Sequence, residues 1–509
     1  MTGPGQAAGS PREVELKLEA EPEAIERLAA HPLVRDGRPR TERLRAVYFD
    51  TDDLALKAAG ISLRIRKGRN GSVQTIKAAR RPGLALDRSE WDHPVADGKL
   101  DLSAASGTAL APLLADAGVR AAIRPRFTVA VERTAVTVEH DGSALEIALD
   151  CGSVAAAGRD RRARSPVAEV ELELKRGDPA ALFRVARTLA EAAPLRLSFK
   201  AKSERGYDLL TGERPKPVKA EPLRLDRGMT SGAAFGAVAR SCLRQVVANE
   251  AVLRGERSPD AVHQMRVGLR RLRAAITLFK DAVADGERDA IRGELKRVAD
   301  VLGPARDLDV FIAKTVEPAR ERHRDDPAFA ALLADYEERR EAAYGRVLAA
   351  VRSGDFACSV LRTAAWIEAG DWLRGGDGRA ARDRLVEAHA AAELERRWKK
   401  VGRRTRGLRR LSPEERHEIR IEIKKLRYAA EFFASLFDEA KRRKAALSTL
   451  ETLQEVLGDL NDIAVGAEGT AEGALAALQA EQAARVEPLL AEAKKAARAL
   501  RAMKPFWKG

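Results

Sequence analysis

The chain has 509 residues, enough for two or three domains at ~100–200 residues each, and its 91 lysines and arginines exceed its 76 acids by 15. That excess points to polyanionic partners: polyphosphate, nucleotides, nucleic acid or an anionic surface. Cys151, Cys242 and Cys358 form no C-x-x-C, which excludes a disulfide framework and a zinc ribbon and fits a reducing cytoplasm. No run approaches the ~18–20 apolar residues of a membrane span, and residues 1–12 lack the apolar core of a signal peptide, so a cytoplasmic chain without membrane insertion is expected. Residues 1–10 read as a disordered lead.

The first expected strand alternates Glu13, Glu15 and Lys17 with Val14 and Leu16. Residues two apart share one face of a strand, so two carboxylates and an ammonium converge there. The pattern returns as Glu169, Glu171, Glu173 and Lys175 between Val170, Leu172 and Leu174. Oxygen-rich carboxylate clusters suit Mg²⁺ or Mn²⁺, which keep open positions for phosphate oxygens. The strands between supply cations: Arg64 and Arg66, Lys77, Arg88 beside Glu90, and Arg133, with Glu146 and Asp150 following and Lys200 and Lys202 last. Strands with charge on one face and apolar residues on the other describe an antiparallel sheet curled round a polar interior. Such a lumen is costly unless a charged ligand fills it.

These motifs resemble the CYTH domain, or triphosphate tunnel metalloenzymes. The resemblance runs over residues 11–212 through Glu13-x-Glu15-x-Lys17, Tyr48-Phe49-Asp50-Thr51, Leu63-Arg64-Ile65-Arg66 and Lys202-Ser203-Glu204-Arg205-Gly206-Tyr207. It implies a metal-dependent hydrolase of inorganic triphosphate or another triphosphate, such as a nucleoside triphosphate. Within the family a class IV adenylate cyclase is another activity, and a tunnel that grips an anion without turnover is the non-catalytic alternative. By the resemblance Glu13, Glu15, Glu169 and Glu171 hold Mg²⁺ or Mn²⁺, with Asp150 and Glu173 in support. Lys17, Arg64, Arg66, Lys77, Arg133 and Lys202 clamp phosphate oxygens, and Glu90 and Asp150 complete the catalytic set. Phe199 and Ala201 stand where the commoner pattern has a serine, leaving Lys200 and Lys202 as rivals for the last phosphate contact.

A proline-spaced linker is expected over 213–225, followed by an all-α domain over 226–505. The fold class is therefore α+β: an antiparallel barrel with flanking helices, then two duplicated helical bundles. The duplication is visible as His263 to Arg273 against His417 to Arg427, offset by 417 − 263 = 154 residues. A second pair, Leu302-Gly303 to Val310 and Leu457-Gly458 to Val465, is offset by 457 − 302 = 155. A nearly constant offset means a repeated unit, and two such bundles should pack about a pseudo-twofold axis.

Each first helix has an apolar seam (Met265, Leu269, Leu272, Ile276, Phe279; Ile419, Ile423, Leu426, Ala430, Phe433) and a basic stripe beside it. The stripes are His263, Arg266, Arg270, Arg271, Arg273 and His417, Arg420, Lys424, Lys425, Arg427. Few acids interleave, so the cations repel unless an anion lies on them, and arginine forks suit the oxygens of a linear polyphosphate. The glycines read as helix breaks, so Asp307, Asp309 and Asp462 are expected as helix caps, with ordering of the basic residues as the alternative. Other cations, such as Arg339, Arg340, Arg382 and Arg384, read as general basicity, and those at 396–400 and 403–410 as secondary stripes. No RNA-recognition module or aromatic platform accompanies them, so nucleic acid is not the expected partner. The blocks resemble the CHAD domain, a helical domain often fused behind CYTH and associated with inorganic polyphosphate. That resemblance implies polyphosphate binding and association with polyphosphate granules.

Overall fold

The computed structural model describes residues 12–69, 71–81, 83–156, 164–465 and 472–508; the lead read at residues 1–10 lies outside them. Nine strands form one antiparallel sheet: β1 (Arg12–Glu19), β2 (Arg40–Asp50), β3 (Ile61–Gly68), β4 (Gly71–Arg81), β5 (Leu86–Val95), β6 (Arg124–His140), β7 (Ser143–Ala156), β8 (Arg164–Arg176) and β9 (Arg196–Ser198). Their order is β5-β4-β3-β2-β6-β7-β8-β1, and β1 pairs back to β5, closing eight strands into a barrel with β9 added beside β1. Closure removes the sheet's free edges.

Alternation decides which side each residue takes. Leu16, Leu18, Leu145, Ile147, Leu149, Val170 and Leu172 point outward and are at most 1% exposed. Helices α1 (Pro22–Ala29) and α2 (Ala180–Ala192) lie over that face. The barrel thus keeps one core on its outside and its charges within, beside an apolar patch of the lumen made by Leu44, Ala46, Val129 and Val131.

Helix α3 (Lys202–Thr211) lies against β6, β7 and β8, and its sequence shows how it is fixed there. The Ala201 N–H donates to Glu204 Oε2 at 2.6 Å, Arg205 donates to Glu19 at 2.7 Å, and the Tyr207 hydroxyl donates to Asp50 at 2.8 Å. Gly206 passes so close to Phe127 that a Cβ would stand 2.2 Å from the ring, which requires glycine. Buried Asp50 also accepts the backbone N–H of Thr51, Leu56 and Lys57, so this carboxylate anchors both a turn and α3. The Tyr-Phe-Asp-Thr and Lys-Ser-Glu-Arg-Gly-Tyr motifs are two halves of one structural joint.

Beyond it the chain is helical. The long helices are α4 (Ser231–Gly255), α5 (Pro259–Leu278), α6 (Arg288–Phe311), α7 (Pro327–Arg352), α8 (Gly354–Ala369), α9 (Val386–Arg404), α10 (Pro413–Phe432), α11 (Ala440–Val465) and α12 (Glu472–Ala502). Helices α4 to α7 and α9 to α12 are the two copies of the repeat: α5 and α10 begin 413 − 259 = 154 residues apart. Phe279 meets its own counterpart Phe433 edge-on, centroids 5.7 Å apart, as a twofold relation demands. Both apolar seams are buried, with no member more than 3% exposed. Asn249 on α4 exchanges two hydrogen bonds with the backbone of Val218, pinning the extended linker.

Two compact units divide the chain. The first runs to Pro215 and includes α8; the second takes Lys216–Ser353 and resumes at Gly370. Helix α8 lies in sequence within the span read as helical domain, yet it packs on α2 and β9.

Candidate active site and a second, cationic cavity

The lumen of the barrel is a cavity of about 440 Å³. Among the described residues eight carboxylates and nine cations line it, so a bare polyanion would meet nearly as many repelling groups as attracting ones. A complex of metal and phosphate meets both signs. Strand register makes the pairs: Glu13 opposes Arg88, Lys77 opposes Glu90, Lys17 opposes Glu171, and Arg133 opposes Asp150.

Arg133 holds Asp150 through two parallel bonds of 2.7 and 2.6 Å and also reaches Glu171. Lys77 donates to both oxygens of Glu13 at 2.7 and 2.6 Å and lies 3.1 Å from Glu90. Lys17 pairs with Glu171 and lies 3.4 Å from Glu169. Arg64 donates to the Tyr48 hydroxyl at 3.3 Å. Arg66 lines the same cavity. Lys202 meets Asp150 at 2.6 Å, Glu171 at 2.9 Å and Glu169, and lines the lumen, whereas Lys200 pairs with Asp208 and does not line it. Geometry therefore separates the two lysines that the sequence left as rivals.

Burial penalises every charge here. It opposes ionisation of Glu15, yet Lys17, Lys77 and Arg88 hold that carboxyl down to about 2. Burial likewise opposes ionised Asp150, but Lys202 and Arg133 hold it well below the usual carboxylate range. Burial lowers Lys17 in spite of Glu15 and Glu169, and raises Glu90. A carboxylate with a depressed pKa contributes stability above its unfolded value and loses it as pH falls through the folded value. For Glu15 that window runs from about 4.5 down to about 2. We expect the first unit to lose stability through that window in an acid titration followed by far-ultraviolet circular dichroism. Glu15→Gln should flatten the decline.

Of the four carboxylates expected on a metal, Glu13, Glu15 and Glu171 line the cavity. Glu169, 2% exposed, sits behind it under Lys17 and Lys202. Among the described residues, Asp150, Glu169 and Glu171 bring oxygens within 4.8 Å of one another. Buried Glu15 Oε1 has no hydrogen-bond partner. An all-oxygen donor set in which Glu15 Oε1 has ion-pair neighbours, Arg88 and Lys17, but no hydrogen bond closed on it fits a hard divalent cation. The alternation also identified Arg88, 3.4 Å from Glu15, although it was not placed among the contacts.

The second unit has a cavity of about 930 Å³ of its own. His263, Arg266 and Arg270 reach it from α5, and their counterparts His417, Arg420 and Lys424 from α10. The rest of the two stripes points elsewhere. Arg271 is buried over the ring of Phe432, 5.3 Å from its centroid, Lys425 donates to Glu422 at 2.8 Å, and Arg427 donates to Gln454 at 3.0 Å. Arg273 does not line the cavity either. At 100° per residue, 271 and 425 are turned away from the row set by i, i+3 and i+7.

Asp307, Asp309 and Asp462 are not caps: α6 and α11 run straight through the glycines and enclose all three. Asp307 lies 3.4 Å from Arg266, and Asp309 accepts the Tyr344 hydroxyl at 2.8 Å. The repeated glycine has another purpose. A Cβ on Gly303 would stand 3.2 Å from Arg266 Nη1, and one on Gly458 3.1 Å from Arg420 Nη2. Each Leu-Gly pair makes room for the guanidinium of its own repeat. Of Val465, at the end of the second block, only the backbone is described.

Arg266 Nη1, Arg270 Nε and Arg420 Nε are buried without hydrogen-bond partners. Burial, then Arg420 and Arg270, pushes Lys424 down to about 7, and burial with Arg306 and Arg270 pushes His263 down to about 4. Sequence reasoning missed Arg306, Lys314, Arg339 and Arg485, which also line this cavity. Within the run 396–410, Arg396, Lys399, Arg404 and Arg409 pair with Glu393, Glu395, Glu418 and Glu487.

The first unit is thus an eight-stranded antiparallel tunnel with a charged lumen, and the second a duplicated helical domain. The CYTH domain model matches residues 11–207 and the CHAD domain model residues 237–471, so the chain joins a CYTH domain to a CHAD domain. An uncharacterized protein of Mycobacterium tuberculosis is 28% identical over 299 residues, 55% of this chain and 54% of that protein. An inorganic triphosphatase of Haemophilus influenzae is 28% identical over 161 residues, 31% of this chain and 44% of that enzyme. The chain thus spans about half the length of the curated relatives it matches. The crystal structure of the CHAD domain from the plant Ricinus communis has 27% identity and a TM-score of 0.49, covering 57% of this chain and 98% of that one. Among the described residues no helix is long and apolar enough to cross a membrane.

Proposed function

We propose that the barrel is a Mg²⁺- or Mn²⁺-dependent hydrolase of inorganic triphosphate or another triphosphate, and that the helical domain binds inorganic polyphosphate. The observation that carries the first half is the near balance of carboxylates and cations in one small lumen. Glu13, Glu15 and Glu171, with Glu169 behind them, would hold the cation, which when bound neutralises charge on the phosphoryl oxygens. Arg64, Arg66, Lys77 and Arg133 aim their donors into the lumen and fix the chain of phosphates. Lys17 and Lys202 exchange carboxylate for phosphate partners, and charge spread over the transferred group meets donors already in place. The similarity to an inorganic triphosphatase supports hydrolysis over a purely binding tunnel.

The test is phosphate release from triphosphate, ATP and long-chain polyphosphate under each metal. Binding without turnover of any of them would leave a binding protein, and cyclic AMP from ATP would reveal a cyclase. For the helical domain, orphaned arginine nitrogens in the cavity support an anion. Gly303→Ala and Gly458→Ala together should displace Arg266 and Arg420 and weaken polyphosphate binding about ten-fold with no change of net charge. A titration with labelled polyphosphate checks it, and unchanged affinity would show that the glycines do not seat the arginines.

A further inference from the structure

A linear inorganic polyphosphate has no use for apolar surface, yet one wall of the 930 Å³ cavity is apolar and aromatic. Pro304, Leu308 and Phe311 lie at i, i+4 and i+7 along α6 and so form one row facing it. Tyr336 on α7 packs on Phe311, centroids 4.9 Å apart, and the Arg339 guanidinium lies 5.2 Å from the Tyr336 ring centre. Phe311 follows Asp307, the partner of Arg266, by four residues, ~6 Å along the helix axis. A cationic end with orphaned donors therefore adjoins a wall of two rings and a stacked guanidinium. Such a pair of surfaces suits a ligand with phosphates at one end and a flat, apolar group at the other.

We propose that this cavity takes a nucleoside polyphosphate, with its phosphates on Arg266, Arg270, Arg420 and Lys424 and its base against Phe311, which the buried Tyr336 backs. The inference rests on the reading of the cavity as a phosphate site and names the ligand class that the aromatic wall selects. Lys424, held near 7 by burial and its arginine neighbours, takes up a proton when phosphate arrives, so binding weakens as pH rises above 7. Asp307, Asp459 and Asp462 face the same space and keep the site from being uniformly positive.

Adenosine 5′-tetraphosphate and inorganic tetraphosphate carry equal numbers of phosphates, so their affinities for the full chain isolate the base. Calorimetry should show the nucleotide binding about ten-fold more tightly. Phe311→Ala should remove that advantage and leave inorganic tetraphosphate unchanged, whereas R266E with R420E should lose this cavity's binding of both ligands and leave only the tunnel's. Phe311→Leu, which keeps apolar bulk but removes the ring, repeats the first test in a milder form, so the result does not hang on one variant's folding. These variants leave the tunnel untouched, so differences from the parent chain report the helical cavity. Equal affinity for the two tetraphosphates, or an advantage that survives both apolar substitutions, overturns the nucleotide inference while sparing the phosphate site. R266E with R420E leaving both ligands bound as before removes the phosphate site and this inference together. Tighter binding of a short-chain phosphoinositide would replace the base with a lipid.

Discussion

Replacing Glu13 and Glu15 together by glutamine is expected to abolish metal-dependent phosphate release, by at least about a thousand-fold, while the protein stays folded. Glutamine keeps the volume of each side chain and an oxygen that can accept from Lys77, but two of the lumen's carboxylate charges vanish. The cation loses hard ligands, and Lys77, Lys17 and Arg88 lose the charges that now balance them. Phosphate release under Mg²⁺ and Mn²⁺, with circular dichroism as the control, measures the outcome. A double variant that hydrolyses at the parent rate would mean that these strands do not carry the metal.

The second large effect concerns the helical cavity. Reversing Arg266, Arg270, Arg420 and Lys424 to glutamate should weaken long-chain polyphosphate by at least about a hundred-fold, since each charge-assisted contact becomes a repulsion. The same reversal of Arg396, Lys399, Arg404 and Arg409 changes net charge equally. Those four are exposed and already paired with acids, so the loss should stay within about three-fold. Affinity of the parent should also fall steeply with salt as counterions are released, a direction carried over from nucleic acids. Equal losses in both sets would reduce the cavity to general basicity. The full chain is the right material, because a fragment beginning at the linker would carry α8 away from α2 and β9.

The charged lumen was legible because a strand has a period of two: once Glu13, Glu15 and Lys17 share a face, register does the rest. The helical cavity was half legible. Residues found twice, such as Arg266 with Arg420, stood out through the duplication, whereas Arg306 faces a counterpart position occupied by Asn461 and left no repeat to notice. Arg339 looked like any surface cation because its ring partner, Tyr336, is a neighbour only on a folded helix. The glycines misled for a physical reason: glycine inside a helix costs only about 1 kcal/mol, less than the packing of the helices that α6 and α11 continue. Helix α8 was read as part of the helical domain because an apolar stripe carries no address, and only the folded chain shows that it packs on α2 and β9.

The placement of α8 bears on how the protein is made. The ribosome completes β9 at Ser198 and reaches Gly354 only 354 − 198 = 156 residues later. At ~5–20 residues per second that gap lasts about 10–30 s. During it the nascent barrel has all its strands but waits with the α2 surface uncovered, while the whole first helical repeat is synthesised in between. The barrel is the first part begun, yet it cannot be finished until α4 to α7 have emerged, so a chaperone or a premature stop acting within the first repeat would reach the tunnel as well.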